Sequence, residues 1–307
     1  DHRDLHSFPT RRSSDLNCYG GLVVNAIVSS VAYAFGIVTD KILLSRRKIP
    51  LLRFIPMLFL YLSLLTAIML PKYGSVDFNQ FFSAKYIAVF VLMITTAVIW
   101  NIMYYRGLQQ EDIHEFELIM LLSPMVTIIF AEMFLPSERN WQTFIAGIIA
   151  SAALVSTRFR HHHVKISKVA WMTMLAMVLM SFESILIKTL LGVMSPVSLY
   201  FTRTAIVAVV FIILYRPKML EMSKSSYGMI IFSALLGVIQ MVLKFYGFSY
   251  MGVIETTMIL VLGPFLVYFL SPIWFKEKVY KRDIFAFVVL VLCILYVTLG
   301  RERVAIH

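Results

Sequence analysis

Long apolar runs, separated by short polar and charged segments, make up most of this chain. Ten runs come close to the length of about 20 residues that an apolar helix needs to cross the hydrocarbon layer of a bilayer. They cover 20–44, 51–70, 85–105, 113–135, 141–158, 169–191, 196–216, 227–248, 252–275 and 283–300, numbered here as spans one to ten. The pattern predicts an all-α integral membrane protein with ten transmembrane helices.

The composition agrees with lipid as the surrounding solvent. Hydrophobic residues make up 60% of the chain and charged residues 15%, with a mean hydropathy of +0.81. A soluble protein of this composition would expose more apolar surface than its core could bury. The net charge of +11 comes from short Lys and Arg clusters between the spans. Such clusters are typical of a membrane-topology signal, so we expect a lipid bilayer as partner and no nucleic acid.

The first 16 residues differ from the rest of the chain. The segment Leu5–Leu16 reads LHSFPTRRSSDL, which is similar to the translation of a sequencing-library adapter. We therefore expect residues 1–16 to be an artefact rather than native sequence. A genuine basic N-terminal arm is the alternative.

The two halves of the chain resemble each other. At a constant offset of 140 residues, five positions in one window of the first half carry the same residue types as five positions in the second. The first set is Gly107, Glu115, Ile119, Leu122 and Pro124, and the second set is Gly247, Glu255, Ile259, Leu262 and Pro264. This agreement predicts an internal repeat of five spans.

The repeat defines the expected domain organisation. A first five-helix repeat covers 17–158, a basic linker covers 159–168, a second repeat covers 169–300 and a basic tail covers 301–307. Because five is an odd number, the second repeat must enter the membrane from the opposite side. Such inverted repeats are typical of secondary transporters, which bind their substrate near the membrane midplane where the repeats meet.

Span one ends in FGIVTDKILL, and spans six and seven contain FESILIKTLLGVMSPVSLYFTRT. These segments resemble the EamA domain of the drug/metabolite transporter superfamily. Each half also closes with a Gly, a Pro 17 residues later and then a Glu, which are Gly107, Pro124 and Glu138 in the first half and Gly247, Pro264 and Glu277 in the second. The resemblance implies a ten-helix carrier that works by alternating access, in a bacterial or archaeal cell (inner) membrane. Carriers of this kind move amino acids, drugs or similar small metabolites, as exporters or exchangers.

The distribution of basic residues predicts an orientation. The loops after the odd-numbered spans carry 16 Lys and Arg residues, and the opposite face carries 5 once the adapter-like stretch is left out. The positive-inside rule places the 16 in the cytoplasm and therefore both termini outside. The family resemblance instead implies cytoplasmic termini, so the two indications disagree.

Two ionisable residues inside the spans are candidates for binding, because a charged group in the membrane is costly and is retained for function or for pairing. Glu183 lies about 15 residues into span six and could bind a proton or a cationic group of the substrate. Alternatively, it forms a structural ion pair with Lys188 or Arg203. Arg203, two turns into span seven, requires a partner or an anionic substrate, whereas Lys188 and the matched Lys41 are expected to reach the lipid headgroups.

Further polar residues could line a substrate pathway. Glu115 and Glu255 are matched in spans four and nine, where a position in the first helical turn also explains a carboxylate through the helix dipole. Lys244 could pair with Glu255. Asn101 and Gln240 occupy nearly matched positions in spans three and eight, and their amides would suit a water-lined cavity.

Aromatic residues and prolines complete the set of candidates. Trp100, Tyr104 and Tyr105 could line the cavity, although we expect an aromatic belt at the membrane interface. Pro124 and Pro264 lie within spans four and nine, where each removes one backbone hydrogen bond. Kinks at these matched positions would act as paired hinges or as static bends.

These features favour a secondary transporter, driven by protons through Glu183, over other membrane proteins. No nucleotide-binding motif, metal-ligand spacing or catalytic constellation is recognisable, so we expect no cofactor and no enzymatic activity. The chain could act alone or as a homodimer. The alternatives are a non-transporting sensor or assembly protein and, further off, an intramembrane enzyme. A cavity bordered by Glu183, Arg203 and Asn101 would favour the transporter.

Overall fold

The computed structural model describes residues 11–111, 113–138, 167–217 and 222–275, with isolated positions at 141, 144, 145, 148, 149, 288 and 292. Apart from those positions, the predicted spans five and ten and the basic linker up to residue 166 lie outside the described residues. Eight of the ten predicted spans can therefore be compared with observed helices.

Five labelled helices form the described part of the first half. They are α1 (Arg11–Lys41), α2 (Leu51–Ala67), α3 (Ala84–Gln110), α4 (Ile113–Met120) and α5 (Ser123–Phe134). A π-helical turn at Ile42–Arg46 extends α1, and two single-turn helices at Leu70–Tyr73 and Phe78–Phe81 connect α2 to α3. The segments α4 and α5 together correspond to the predicted span four.

Five more helices form the described part of the second half. They are α6 (Lys168–Leu190), α7 (Pro196–Tyr215), α8 (Lys224–Tyr250), α9 (Val253–Leu260) and α10 (Leu262–Phe275). A serine caps the N-terminus of α6, α7 and α8, because Ser167, Ser195 and Ser223 each accept a hydrogen bond from the backbone N–H three residues on. Such caps satisfy N–H groups that have no partner inside the helix.

Half of the labelled helices are suited to crossing a membrane. Five of them, α1 with its π-helical extension from Gly20 to Arg46, α3, α6, α7 and α8, have the length and apolar composition to cross a membrane. Large apolar side chains also face outward, among them Val209, Ile213 and Leu214 on α7. An exposed apolar surface of this kind agrees with contact to lipid chains rather than to water.

The predicted spans four and nine are each interrupted. The regular helical hydrogen bonding is interrupted at Leu121 and Leu122 between α4 and α5, and at Val261 between α9 and α10, although Leu122 and Val261 keep right-handed helical φ and ψ angles. Pro124 is the second residue of α5 and Pro264 the third residue of α10. The first turn of a helix tolerates proline, because its missing N–H would have no partner there. The two prolines therefore lie directly after matched interruptions of the helical hydrogen bonding, and their role as paired hinges or static bends stays a prediction.

The two halves pack through equivalent pairs of helices. The helix α1 packs against α8, α3 packs against α6, and α2 packs against α7. Since α1 corresponds to α6 and α3 to α8 in the repeat, the first two contacts are equivalent to each other, and the third lies on the axis that relates the halves. The pattern is that of an interface between two related, oppositely inserted units.

The matched glycines lie where helices approach closely. A Cβ added to Gly107 on α3 would lie 2.2 Å from Oγ1 of Thr173 on α6, and a Cβ added to Gly247 on α8 would lie 2.5 Å from Cγ2 of Thr256 on α9. No larger residue fits either position without displacing a threonine. Glycine at these positions of the repeat is therefore a packing requirement.

A short backbone contact ties together two connections on one side of the bundle. Val76, between α2 and α3, forms an isolated β-bridge with Met194, between α6 and α7. The backbone N–H of Asp77 donates to the carbonyl of Val193 at 2.9 Å, and that of Ser195 donates to the carbonyl of Ser75 at 2.9 Å. Since four spans separate the two connections along the chain, their position on one side agrees with alternating membrane crossings.

Candidate substrate cavity

A cavity of about 190 Å³ lies between the two halves. All ten labelled helices contribute residues to its wall, and α4 does so through its last residue, Met120. Five of the polar candidates and both prolines line it, namely Asn101, Glu183, Arg203, Gln240, Lys244, Pro124 and Pro264. The structure thus brings together candidates from both repeats.

The strongest polar contact in the cavity wall joins Glu183 on α6 to Arg203 on α7. Nε of Arg203 donates to Oε1 of Glu183 at 2.6 Å, and Nη2 donates to Oε2 at 3.1 Å. Nε1 of Trp100 on α3 donates to the same Oε2 at 2.7 Å, and the Arg203 guanidinium lies 5.8 Å from the Trp100 ring centroid. Glu183 therefore accepts three hydrogen bonds, and Arg203 has both a carboxylate and an aromatic neighbour.

Burial explains why these two charges are paired. Glu183 and Arg203 are each only 2% exposed. A single charge at such a position would lose its hydration without compensation, whereas a bidentate Arg–carboxylate pair with an additional donor offsets much of that cost. Of the two partners that the sequence left open for Glu183, the structure selects Arg203.

Lys188 has a different role from the one that the sequence favoured. Its Nζ lies 3.1 Å from Oε1 of Glu138 and donates to the carbonyl of Phe248 at 2.6 Å, near the end of α8. The matched Lys41 donates to the carbonyls of Leu108 and Glu111 at the end of α3. Leu108 and Phe248 are themselves 140 residues apart. Both lysines therefore bind the last carbonyls of the third helix of their own repeat instead of reaching the lipid headgroups.

Glu138, which follows α5 in the first repeat, contacts the second repeat. Its Oε2 accepts from the backbone N–H of Val253 at 2.6 Å and of Ile254 at 3.4 Å, the first residues of α9. Gly252, which precedes them, has φ +98°, a conformation that glycine adopts without strain. A carboxylate at a helix N-terminus is also favoured by the helix dipole.

The remaining candidates differ in their access to the cavity. Lys244 lines it, with Nζ 5.1 Å from the centroid of the Phe248 ring. Asn101 also lines it, and its amide donates to the carbonyl of Ala97 on its own helix at 2.7 Å. Gln240 on α8 also lines the cavity, and its backbone carbonyl accepts a hydrogen bond from the Ser29 hydroxyl at 2.7 Å. These groups surround the Glu183–Arg203 pair.

Glu255 and Glu115 are not part of the described cavity wall. Glu255 is buried in the first turn of α9, the position that the helix-dipole interpretation expects. It is absent from the residues that line the cavity. Glu115 lies on α4, and its side chain is outside the described residues.

Aromatic residues form one wall of the cavity. Trp100, Tyr104 and Tyr105 line it, and Trp100–Tyr104 and Tyr104–Tyr105 make edge contacts with centroid distances of 5.7 Å and 5.1 Å. Tyr33 and Tyr200 complete this surface. The prediction of an interfacial belt for Trp100, Tyr104 and Tyr105 was therefore wrong, because all three line the cavity and both tyrosines are buried.

Two buried carboxylates escaped the sequence analysis. Asp40, near the end of α1, lines the cavity and accepts a hydrogen bond from the hydroxyl of Ser233 on α8. Glu117, on α4, accepts hydrogen bonds from the Tyr33 hydroxyl at 3.3 Å and 3.5 Å. Asp40 was hidden because it precedes Lys41 near a span end, where charges are common. Glu117 lies two residues after Glu115, which the repeat had already singled out.

Comparison with known proteins agrees with this architecture. One protein of known crystal structure matches with a TM-score of 0.69 and 14% identity, over 93% of this chain and 99% of its own. At that identity the likeness establishes the fold alone. No curated protein matches the sequence significantly.

The family model identifies the chain. The fold is that of an all-α integral membrane protein whose ten spans form two inverted five-helix repeats. The chain belongs to the EamA-like transporter family, whose model matches residues 21–158 and 167–299. The family is part of the drug/metabolite transporter superfamily, so the protein is a multi-pass membrane transporter of small solutes.

Proposed function

We propose that this protein is a secondary transporter of a small metabolite, such as an amino acid, a drug or a similar solute, and that it exports or exchanges this solute by alternating access. The observation that carries the proposal is the cavity between the repeats, which Glu183, Arg203 and Asn101 border. In a sensor or assembly protein, the polar residues within the membrane would be paired with one another, and no such cavity would be needed.

The wall of the cavity supports specific roles for its residues. The paired Glu183 and Arg203 present a rigid, polar surface on which a charged or zwitterionic group can be oriented. Lys244 supplies a cation, and the amides of Asn101 and Gln240 can both donate and accept hydrogen bonds. The aromatic face formed by Trp100, Tyr104 and Tyr105 offers stacking or cation–π contacts to the solute.

The matched breaks near Pro124 and Pro264 support a hinge role in this cycle. Both prolines line the cavity, and in each repeat the short helix before the break can change its angle to the helix after it. Movement at both places would open the cavity to one side of the membrane and then to the other. For Glu115 and Glu255, a part in substrate or proton binding stays a prediction.

Transport by the purified protein tests the proposal. The protein is reconstituted into liposomes, and the uptake of radiolabelled amino acids and other metabolites is compared with that of protein-free liposomes. Gln240→Leu removes a polar group from the cavity, so it should slow uptake of a polar solute about tenfold. This factor corresponds to the loss of about 1.4 kcal/mol of hydrogen-bond energy with the solute. Thr95→Val, on the exposed face of α3, is the control. Equal uptake by Gln240→Leu and Thr95→Val, or no uptake of any solute, would contradict the proposal.

A further inference from the structure

Asp40 has the position expected of a proton-binding group. Its side chain lines the cavity, and the residue is 7% exposed. The hydroxyl of Ser233 donates to its Oδ1, so α1 and α8 meet through this contact. A hydroxyl donor alone does not offset the cost of a buried negative charge, which in an apolar surrounding amounts to several kcal/mol. The carboxyl group therefore gains from holding a proton when no cationic ligand is present.

The cations of the neighbouring helices have other partners. Lys41 donates to the carbonyls of Leu108 and Glu111, Arg203 pairs with Glu183, and Lys244 lies over the Phe248 ring. Within the described part of the chain, Asp40 forms no ion pair. Glu255 on α9 and Arg53 on α2 do not line the cavity.

The other titratable groups around Asp40 are phenols and one carboxyl. Tyr104 and Tyr105 on α3 line the same part of the cavity and lie within electrostatic reach of Asp40. Tyr33 on α1 lies beside Tyr104 and donates to Glu117 on α4. A phenol hydroxyl both donates and accepts hydrogen bonds, so it can accept a proton from one neighbour while it gives its own proton to another.

Glu183 contrasts with Asp40 in each of these respects. It accepts two hydrogen bonds from Arg203 and one from Trp100, so it has a counter-ion. Loss of the Glu183 charge would leave a buried guanidinium uncompensated. Of the two cavity carboxylates, Asp40 is therefore the one that can lose its charge without leaving a described cation unpaired.

We propose that Asp40 is the proton-binding site of the cavity and that it, rather than Glu183, couples proton movement to solute transport. The second part rests on the proposed function, whereas the first does not. One proton enters from water on one side, binds the carboxylate of Asp40, and leaves to water on the other side after the cavity has changed its opening. No covalent bond other than the O–H bond of the carboxyl forms or breaks.

A carbodiimide tests the site without any knowledge of the solute. Dicyclohexylcarbodiimide adds to protonated carboxyl groups in apolar surroundings: the carboxyl proton moves to a carbodiimide nitrogen, the oxygen bonds the central carbon, and rearrangement gives a stable N-acylurea. The full-length protein is treated in detergent over a series of pH values, and the modified residue is identified by peptide mass spectrometry. We expect modification of Asp40 at acidic pH that declines as the pH rises, and none of Glu183.

Matched variants separate a titrating group from a structural one. Asp40→Glu should keep the modification and Asp40→Asn should abolish it, while Thr39→Val, at the adjacent buried residue that hydrogen-bonds the Phe35 carbonyl, should leave it unchanged. Ser233→Ala removes a donor to the charged form, so the modification should persist to more alkaline pH. Gel filtration of each variant establishes that it is folded. Modification of Glu183 instead of Asp40, or of neither, would overturn the proposal.

The coupling role is measured once a solute is known. The ratio of uptake with and without a pH gradient should fall to one in Asp40→Asn and stay as in the parent protein in Thr39→Val. If Asp40→Asn keeps the uptake ratio of the parent protein, Asp40 does not couple proton movement to transport. This conclusion holds even where transport and the carbodiimide modification are both observed. If no solute is transported, the proposed function fails, and the modification of Asp40 still decides the proton site.

Discussion

A buried guanidinium in a membrane protein needs a compensating group, and the surroundings of Arg203 show how this chain supplies it. Glu183 provides both carboxylate oxygens, and Trp100 provides a ring face and a further donor to the carboxylate. Three different helices contribute to this one arrangement. Its stability is therefore coupled to the packing of α3, α6 and α7.

Removing one partner should cost far more than removing both. Glu183→Gln leaves the charge of Arg203 without a counter-ion, so we expect a loss of about 3–5 kcal/mol in the free energy of unfolding, and Arg203→Met should cost a similar amount. The double variant should cost less than either single one, because it leaves no buried charge unpaired. Thermal and denaturant unfolding of the purified protein in detergent measures these values.

Glu111→Gln serves as the control for this series, because Glu111 is partly exposed and accepts a hydrogen bond from a serine, Ser167, at 2.6 Å. It should cost no more than about 1 kcal/mol. A loss of unfolding free energy in Glu183→Gln as small as that in Glu111→Gln would contradict a stabilising role of the buried pair. A double variant whose loss equals the sum of the losses in Glu183→Gln and Arg203→Met would contradict it as well.

At the residue scale, the sequence identified the right residue types but not their partners. Glu183 and Arg203 were recognisable because charges within apolar spans are costly. Their pairing, and the donor on Trp100, depend on how three spans rotate about their axes, which hydropathy does not determine. Asp40 went unnoticed for the same reason, since a charge near a span end faces either water or the cavity according to that rotation.

At the element scale, the ends and breaks of helices matter more than their length. Spans six, seven and eight begin with a serine cap, which sequence inspection can find. The breaks before Pro124 and Pro264 are less evident, because no polar residue marks Leu121, Leu122 or Val261. A proline within an apolar run is compatible with a kink, a bend or a new helix, and packing between the halves selects among them.

The close approach at Gly247 predicts a position-specific effect on stability. Gly247→Ala would place a Cβ 2.5 Å from Cγ2 of Thr256, so α8 and α9 must move apart, at a cost of about 1–3 kcal/mol. Gly228→Ala on the same helix meets nothing within 4 Å and should stabilise the protein by about 0.5–1 kcal/mol through helix propensity. Unfolding measurements on both variants check the difference. An equal effect of both substitutions would show that the Thr256 contact imposes no restriction.

At the scale of the whole molecule, the repeat made the architecture predictable. The five matched positions gave the two units and, through the odd number of spans, their inversion, and the all-α ten-span fold is confirmed. The contacts of α1 with α8 and of α3 with α6 could not be obtained in this way. They follow from the shapes of facing helix surfaces, and a single sequence gives no indication of which surfaces meet.

The orientation of the bundle can be measured directly. The excess of Lys and Arg after the odd-numbered spans predicts that the connection between α2 and α3 faces outward and that between α7 and α8 faces the cytoplasm. Cys18 and Cys293 are replaced by serine, and Tyr73→Cys or Ser225→Cys is introduced, both at exposed positions. A membrane-impermeant maleimide should label the Tyr73→Cys variant in intact cells and the Ser225→Cys variant only after permeabilisation. The opposite labelling would show that the termini are cytoplasmic.

The β-bridge between Val76 and Met194 has a consequence for sequence variation. Its two hydrogen bonds, from Asp77 to Val193 and from Ser195 to Ser75, run between main-chain atoms. These hydrogen bonds place no restriction on the side chains at 76 and 194, whereas Ser195 is also the side-chain cap of α7. Proline at 77 or 195 removes the N–H that donates. In a saturation mutagenesis experiment, the two bonds should therefore be marked by the rejection of proline at 77 and 195, in addition to the preference for a capping residue at 195.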